Sequence, residues 1–277
     1  MSDRPSPNTR SVDGAEPLEW IRFLARANSR VRILEHLSEA ETATQRDLRT
    51  QLDASRTTIA RSLQSLEDRH WVERNDGAYR LTRIGAIITD EFSGMLETVQ
   101  RVAELAEFLR WFPADESTPD FLRLRDAEIT SSSDGDPYAP ARKQTKILRT
   151  ADRLRILLPS VDLEGTKTIT EETAEHALEA ETILSPGLES TFESDEFSPY
   201  IREMLESGRS TLFVSERDPP FYLGLADDGR VQIGVEDGEG FPRSLLETTD
   251  EDVRTWAEGV YRTYREGARR KPLADFD

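Results

Sequence analysis

The sequence has no cysteine, only four lysines and three histidines, and no long apolar run. Without cysteine, disulfides, thiolate metal sites and cysteine nucleophiles are excluded. His36, His70 and His176 lie far apart in the chain, so neither a histidine-built metal centre nor a cofactor is expected. No window approaches the run of about 20 apolar residues that a membrane-spanning helix requires, and MSDRPSPNTRSVDGAEP lacks the apolar heart of a signal peptide. The expectation is a cytoplasmic protein whose residues 1–16 form a mobile, polar tail.

Carboxylate is abundant instead. Asp and Glu total 54 against 36 Lys and Arg, for a net charge of −18. Lysine is confined to Lys143, Lys146, Lys167 and Lys271, so nearly all the positive charge is arginine. An acidic, lysine-poor surface is the composition of halophilic proteins, in which carboxylates keep the surface hydrated at high salt. The alternative is an ordinary acidic protein. The 277 residues suit two domains, each able to bury its own core.

Helical periodicity begins at Trp20, Ile21 and Leu24 and resumes at Val31, Leu34 and Leu37, with Asn28 or Ser29 as a cap between two short helices. Thr44 starts a helix running to about Leu52, and Ser55 starts another running to about Arg69. In WVERNDGAYRLT, the residues Asn75, Asp76 and Gly77 tolerate positive φ, while Val72, Tyr79 and Leu81 flank them as strands. Three helices followed by a hairpin is the order of a winged helix-turn-helix, placed over residues 17–83. Residues 84–112 then keep apolar steps of three and four, from Ile84 through Leu109, and predict one helix about 42 Å long that links or dimerises. A bend is allowed at Gly94.

A connector is expected over residues 113–150, with TSSSDGDPYAP its least regular part. In residues 151–277 short apolar runs alternate with helical stretches. RLRILLP, TILSP and STLFVSE read as strands, while EETAEHALEAE and PYIREMLESG read as helices. FYLGLADDGRVQIGVEDG reads as a hairpin, and a last helix carries Trp256, Val260 and Tyr264 on one face. The predicted class is multi-domain α+β, with a C-terminal α/β domain built on a mainly parallel sheet.

The stretch from Ser55 to Arg69 suits a helix in a major groove. Ile59, Leu63 and Leu66 share a core face; Thr57 and Arg61 point the other way, with Thr58, Gln64 and Ser65 beside them. Arg61 suits guanine and Gln64 adenine. Free amides near Thr44 and Ser55, with Arg56, suit phosphate, and Arg74 and Arg80 flank the wing. Residues 44–83 hold eight arginines and six acids, a local charge of +2 that leaves −20 on the remainder, so the acidity does not veto double-stranded DNA as a partner. The alternative is an adaptor that uses the same domain for protein contacts. The long helix suits a homodimer whose reading helices sit about 34–36 Å apart, or packing within its own chain.

The segments SRVRILEHLSE and TQRDLRTQLDASRTTIARSLQSLEDRHWVERNDGAYRLTRIG resemble the winged helix of archaeal transcriptional regulators. ADRLRILLPS, ILSP, SPYIREMLESGRSTLFVSE, PPFYLGLADDGRVQIGVED and WAEGVYRTYREGA resemble the effector domain of their methanogenesis-regulator type. The resemblance implies a transcription factor whose second domain senses a small-molecule or protein effector. It implies no ligand residues.

An enzyme is not expected. Phospholipase D chemistry needs a histidine with a lysine two positions on, but His176 is followed at that spacing by Leu178. The acid pairs Glu171 and Glu172, and Asp227 and Asp228, read as solvated helix and turn residues. No glycine-rich nucleotide fingerprint follows a strand. If parallel strands form, the loops after them offer Ser160, Ser185, Ser215 and Arg217 as candidate effector contacts.

Overall fold

The computed structural model describes residues 15–113, 118–124 and 126–276. The expected tail at 1–16 lies almost wholly outside them. The chain divides into two compact units, Met1–Gln100 and Arg101–Asp277.

The first unit contains α1 (Ala15–Ala25), α2 (Asn28–Ala40), β1 (Ala43–Thr44), α3 (Gln45–Gln51), α4 (Arg56–Glu67), β2 (Val72–Asn75) and β3 (Ala78–Leu81), and α5 (Arg83–Trp111) begins in it. Its small sheet has the order β1-β3-β2, antiparallel throughout. The hairpin turns at Asp76 (φ 50°) and Gly77 (φ 86°), as a tight turn with two left-handed residues demands. Leu34, Leu37, Leu48, Ile59, Leu63, Leu66 and Trp71 form its core.

The start of α2 differs from expectation. Its cap position is Ala27, with no side-chain cap, and Ser29 instead bonds Ser62 of α4 at 2.8 Å. A cross-helix partner has taken the hydroxyl that a cap would have used. At the start of α5, Thr82 Oγ1 accepts from the Gly85 amide at 3.0 Å and donates to the His70 carbonyl at 2.6 Å. The helix runs unbroken through Gly94 for 29 residues.

The second unit contains β4 (Glu128–Ser131), α6 (Ala139–Lys146), β5 (Arg153–Leu158), α7 (Leu163–Ala174), β6 (Glu179–Leu184), α8 (Glu189–Phe192), α9 (Ser198–Glu206), β7 (Ser210–Val214), β8 (Tyr222–Ala226), β9 (Val231–Glu236), β10 (Pro242–Thr248), α10 (Glu251–Arg265) and β11 (Arg269–Lys271). The eight strands form one sheet in the order β11-β7-β6-β5-β8-β9-β10-β4.

The expectation of a mainly parallel sheet is corrected: it is a mixed sheet. Only β5 with β6 and β6 with β7 are parallel, because only those steps return through helices. The tight turns after β8 and β9 fold the chain straight back, so β8, β9 and β10 are antiparallel, as is the pairing of β5 with β8. Part of the stretch read as a connector supplies the edge strand β4, paired with β10, and α6. The helix expected at EETAEHALEAE starts earlier, where Asp162 caps α7 through the Gly165 amide at 2.8 Å, and its last residues belong to β6.

One sheet face packs on α10 and the last turns of α5, through Leu157, Ile183, Leu223, Ile233 and Tyr261 with Leu105 and Phe108. The other face carries Leu154, Ile156, Tyr222 and Leu245, under Ile147 and Leu148. Each strand therefore alternates between two cores.

Gly85 is fixed by close approach. A Cβ there would stand 1.8 Å from the Trp71 carbonyl oxygen, so backbone would have to yield. Gly85→Ala is expected to lower unfolding free energy by about 1–3 kcal/mol, measured by urea denaturation; unchanged stability would refute this contact.

Candidate nucleic-acid interface

Helix α4 is held from behind and open in front. Ile59, Leu63 and Leu66 are fully buried, whereas Arg56, Thr57, Thr58, Arg61 and Gln64 are exposed. Ser55 accepts from the Thr58 amide at 3.1 Å, and its hydroxyl lies 2.8 Å from that of Thr58. Thr58 is thus partly engaged in the cap, and Thr57 is the freer hydroxyl.

At α3 the capping box is closed. The Asp47 amide donates to Thr44 Oγ1 at 3.3 Å, and the Thr44 amide donates to Asp47 Oδ2 at 3.0 Å. The Thr44 hydroxyl and amide, donating to that carboxylate, hold its pKa below the ordinary value. The two helix starts are tied together where Gln45 Nε2 reaches the Arg56 carbonyl at 3.5 Å.

Charge decides which of these groups is available. Among the described residues, Arg56 and Arg61 have no ion-pair partner, nor do Arg46 and Arg49 on the exposed side of α3. Arg80 is occupied: it pairs with Glu73 across the hairpin at 2.6 Å. Arg74 stands over the Tyr79 ring at 5.7 Å. Gln64 donates to Asp68 at 3.0 Å and must release that bond to meet a base. The structure therefore brings Thr44, Ser55, Arg56, Thr57, Thr58, Arg61 and Gln64 onto or beside two adjoining helices. It adds Arg46 and Arg49, whose signal was their place in the helix capped by Thr44. Such a surface can offer amides, hydroxyls and guanidinium forks to phosphate oxygens and base edges.

Residues 18–104 match the family model described as the HVO_A0261 N-terminal domain, and residues 137–267 match the middle domain of the methanogenesis regulatory protein FilR1. Together the two matches span most of the chain and pair the two kinds of domain expected of an archaeal regulator of the methanogenesis-regulator type. No curated protein matches its sequence. Among solved structures, the chain is similar to TrmBL2, an archaeal chromatin protein, at 15% identity over 88% of this chain and 94% of that one, TM-score 0.41. It is also similar to the phospholipase D family member Nuc from Salmonella typhimurium, at 9% identity over 53% and 99%, TM-score 0.40. A transcriptional regulator from Alicyclobacillus acidocaldarius follows at 13% identity over 86% and 94%, TM-score 0.23. Likenesses this loose decide nothing about function.

In the second unit, a cavity of about 1020 Å³ lies against the sheet face beneath α6 and α7. Of the four residues expected at an effector site, it brings only Ser160 to that cavity. Ser185 is buried and donates to the Asp218 carboxylate, Ser215 donates to the Arg217 carbonyl, and Arg217 stacks on Tyr264 at 4.6 Å. These loops do follow the mutually parallel strands β5, β6 and β7, but after β6 and β7 the hydroxyls are taken up by bonds within the loops. Elsewhere, donor atoms of the exposed Glu171, Glu175 and His176 lie within 4.8 Å of one another. A solvated helix end produces such a group without any ion. No helix among the described residues is long and apolar enough to cross a membrane.

Ser55→Ala removes the α4 cap while leaving its core face intact. The expected loss is about 0.5–2 kcal/mol of stability, read by thermal or urea unfolding, with Ser55→Asn retaining most of it.

Proposed function

We propose that the protein is a DNA-binding transcriptional regulator. Its first unit acts as a winged helix-turn-helix, with α4 in the major groove, the start of α3 on the phosphate backbone and the β2–β3 hairpin as the wing. The observation that carries this reading is the pair Arg56 and Arg61: exposed, without carboxylate partners among the described residues, on a helix whose opposite face is locked into the core. The order of elements and the match to a regulator-type N-terminal domain support it. The second unit, with its cavity, serves as the sensing module. The acidic, arginine-rich composition suits work at high salt, where counterion release contributes little and short-range contacts carry more of the affinity.

The same reading makes the protein a homodimer through α5. Ile84, Ile87, Met95, Leu96 and Val99 are exposed on that helix in the first unit, Val99 by 60%. Apolar residues repeating at helical spacing on a water-facing side are the usual material of a two-helix seam.

Mobility shifts on genomic fragments at high salt test the DNA reading. Arg56→Ala with Arg61→Ala is expected to reduce sequence-selective binding at least about tenfold, since a base-reading fork contributes about 1–3 kcal/mol. Arg74→Ala is expected to weaken all sequences alike. Selective binding that survives the double substitution would overturn the role of α4. A partner retained in pull-downs after nuclease digestion would favour the adaptor reading. In sedimentation, Val99→Asp with Met95→Asp is expected to shift dimer to monomer; a variant that remains dimeric removes α5 from the interface.

A further inference from the structure

The cavity in the second unit is built as a binding site. Its volume of about 1020 Å³ lies at the upper end of the range for small-molecule pockets. Its walls are apolar: Ile156 and Leu158 on β5, Leu212 on β7 and Tyr222 on β8 form the sheet side, and Ile169 and Met204 close it from α7 and α9. Tyr222 is only 3% exposed. Its ring lies along its own strand, where a Cβ at Gly224 would meet the phenol oxygen at 2.7 Å. Burial pushes the phenol's pKa up, so the ring stays neutral.

Into this apolar space the end of β9 brings one carboxylate, Glu236. The Ser160 hydroxyl donates to it. Among the described residues no cation pairs with it. The cavity's other charged groups differ. Arg142 pairs with Asp136, Arg149 with Glu172 at 3.6 Å and Glu164 with Lys167 at 3.0 Å. Asp162 caps α7. Arg142, Lys146 and Arg149 are exposed and keep their hydration. Glu236 is half-buried, and burial raises its pKa, with Asp237 adding to the rise against the Ser160 bond. A carboxylate withdrawn from water without a cation is costly unless something donates to it. A ligand that brings its own positive charge removes that cost and fills the apolar volume in one step.

We propose that the cavity binds an apolar small molecule carrying a protonated amine, its hydrocarbon or aromatic body against the β5, β7 and β8 side chains and its ammonium on Glu236. This deepens the sensing role proposed for the second unit, and its physical claim stands without any DNA contact.

The test is direct binding to purified full-length protein, free of DNA, using three fluorescent probes that share one body: 1-pyrenebutylamine, 1-pyrenebutanol and 1-pyrenebutyrate. The amine is expected to bind at least about tenfold more tightly than the alcohol or the acid, the worth of one charge-assisted hydrogen bond. In Glu236→Gln the amine and alcohol are expected to converge to within about twofold, with alcohol binding unchanged. Ile156→Trp fills the cavity and is expected to abolish binding of all three; if circular dichroism shows that variant unfolded, Met204→Trp replaces it. Equal binding of amine and alcohol by the native protein, tighter binding of the acid, an amine preference that survives Glu236→Gln, binding that survives a folded cavity-filling variant, or no binding of any probe would each overturn the proposal. Mobility shifts without probe read the DNA role separately, so either reading can fail alone.

Discussion

In a chain of net charge −18, a cationic surface persists only where the nearest carboxylates are kept at a distance or already engaged. The first unit does both. Asp47 is folded into the Thr44 capping box, Asp68 holds Gln64 and Glu73 holds Arg80, and among the described residues no carboxylate pairs with Arg56 or Arg61. In the second unit several arginines are themselves paired: Arg155 meets Glu258 at 2.9 Å, Arg243 meets Asp237 at 2.6 Å and Arg269 meets Glu189 at 2.7 Å. Exposed pairs of this kind contribute about 0–1 kcal/mol each. Their larger effect is to remove guanidinium groups from competition for an anion. For the same reason the Arg80–Glu73 pair is no barrier to a phosphate, because the free energy lost in breaking it is small.

Availability of charge would be useless on a helix free to rock. Fixing α4 are the buried Ile59, Leu63 and Leu66, the Ser55 cap and the ring contacts of Trp71 with Trp20 and Phe23 at 5.6 and 5.5 Å. Phe23 is in turn covered on its faces by Arg30 and Arg69 at 3.9 and 3.8 Å. Those two arginines spend their charge on an aromatic ring, which separates arginine as packing material from arginine as recognition group within a single small unit. Gly85 under Trp71 then fixes where α5 departs, and through it the direction of any seam along that helix.

Much of the first unit was legible in the sequence, because its signals are local: Thr44 and Ser55 each precede a helical period, and Asp76–Gly77 lies between strand-like runs. The sequence could not show which arginines lack partners, since Glu73 reaches Arg80 only after the hairpin has closed. In the second unit local signals misled. The helix expected at EETAEHALEAE begins earlier, in a threonine-rich stretch, where the hydroxyls of Thr166, Thr168, Thr170 and Thr173 bond carbonyls one turn back and make the helix compatible with burial. Strand β4 joins β10 across more than a hundred residues, a pairing that no periodicity encodes. Alternation of strand and helix suggested a parallel sheet, but the order of elements alone does not say where a new strand enters; β8 enters beside β5, antiparallel, in the middle of the sheet.

That entry point determines where a ligand can sit. A hairpin inserted next to β5 carries Tyr222 and Gly224 on β8, and Gly234 and Glu236 on β9, onto the face that α6 and α7 cover. Two glycines leave backbone where branched side chains would otherwise fill the layer. Tyr222 lies over Gly224, where a Cβ would stand 2.7 Å from its phenol oxygen, and Tyr222 with Leu245 closes over Gly234 at 3.2 Å, so the ring lies close against the sheet and forms one wall of the cavity. On the opposite face the same strands place Leu223, Leu225, Val231 and Ile233 in the core against α10. The sheet thus divides its labour by strand parity: one set of alternating residues makes the core that stabilises the unit, and the other surrounds a space with a single withdrawn carboxylate at its edge. A one-residue slip of β9 against β8 would exchange the two sets and destroy both, so the register that holds this unit together is also the one that shapes its pocket.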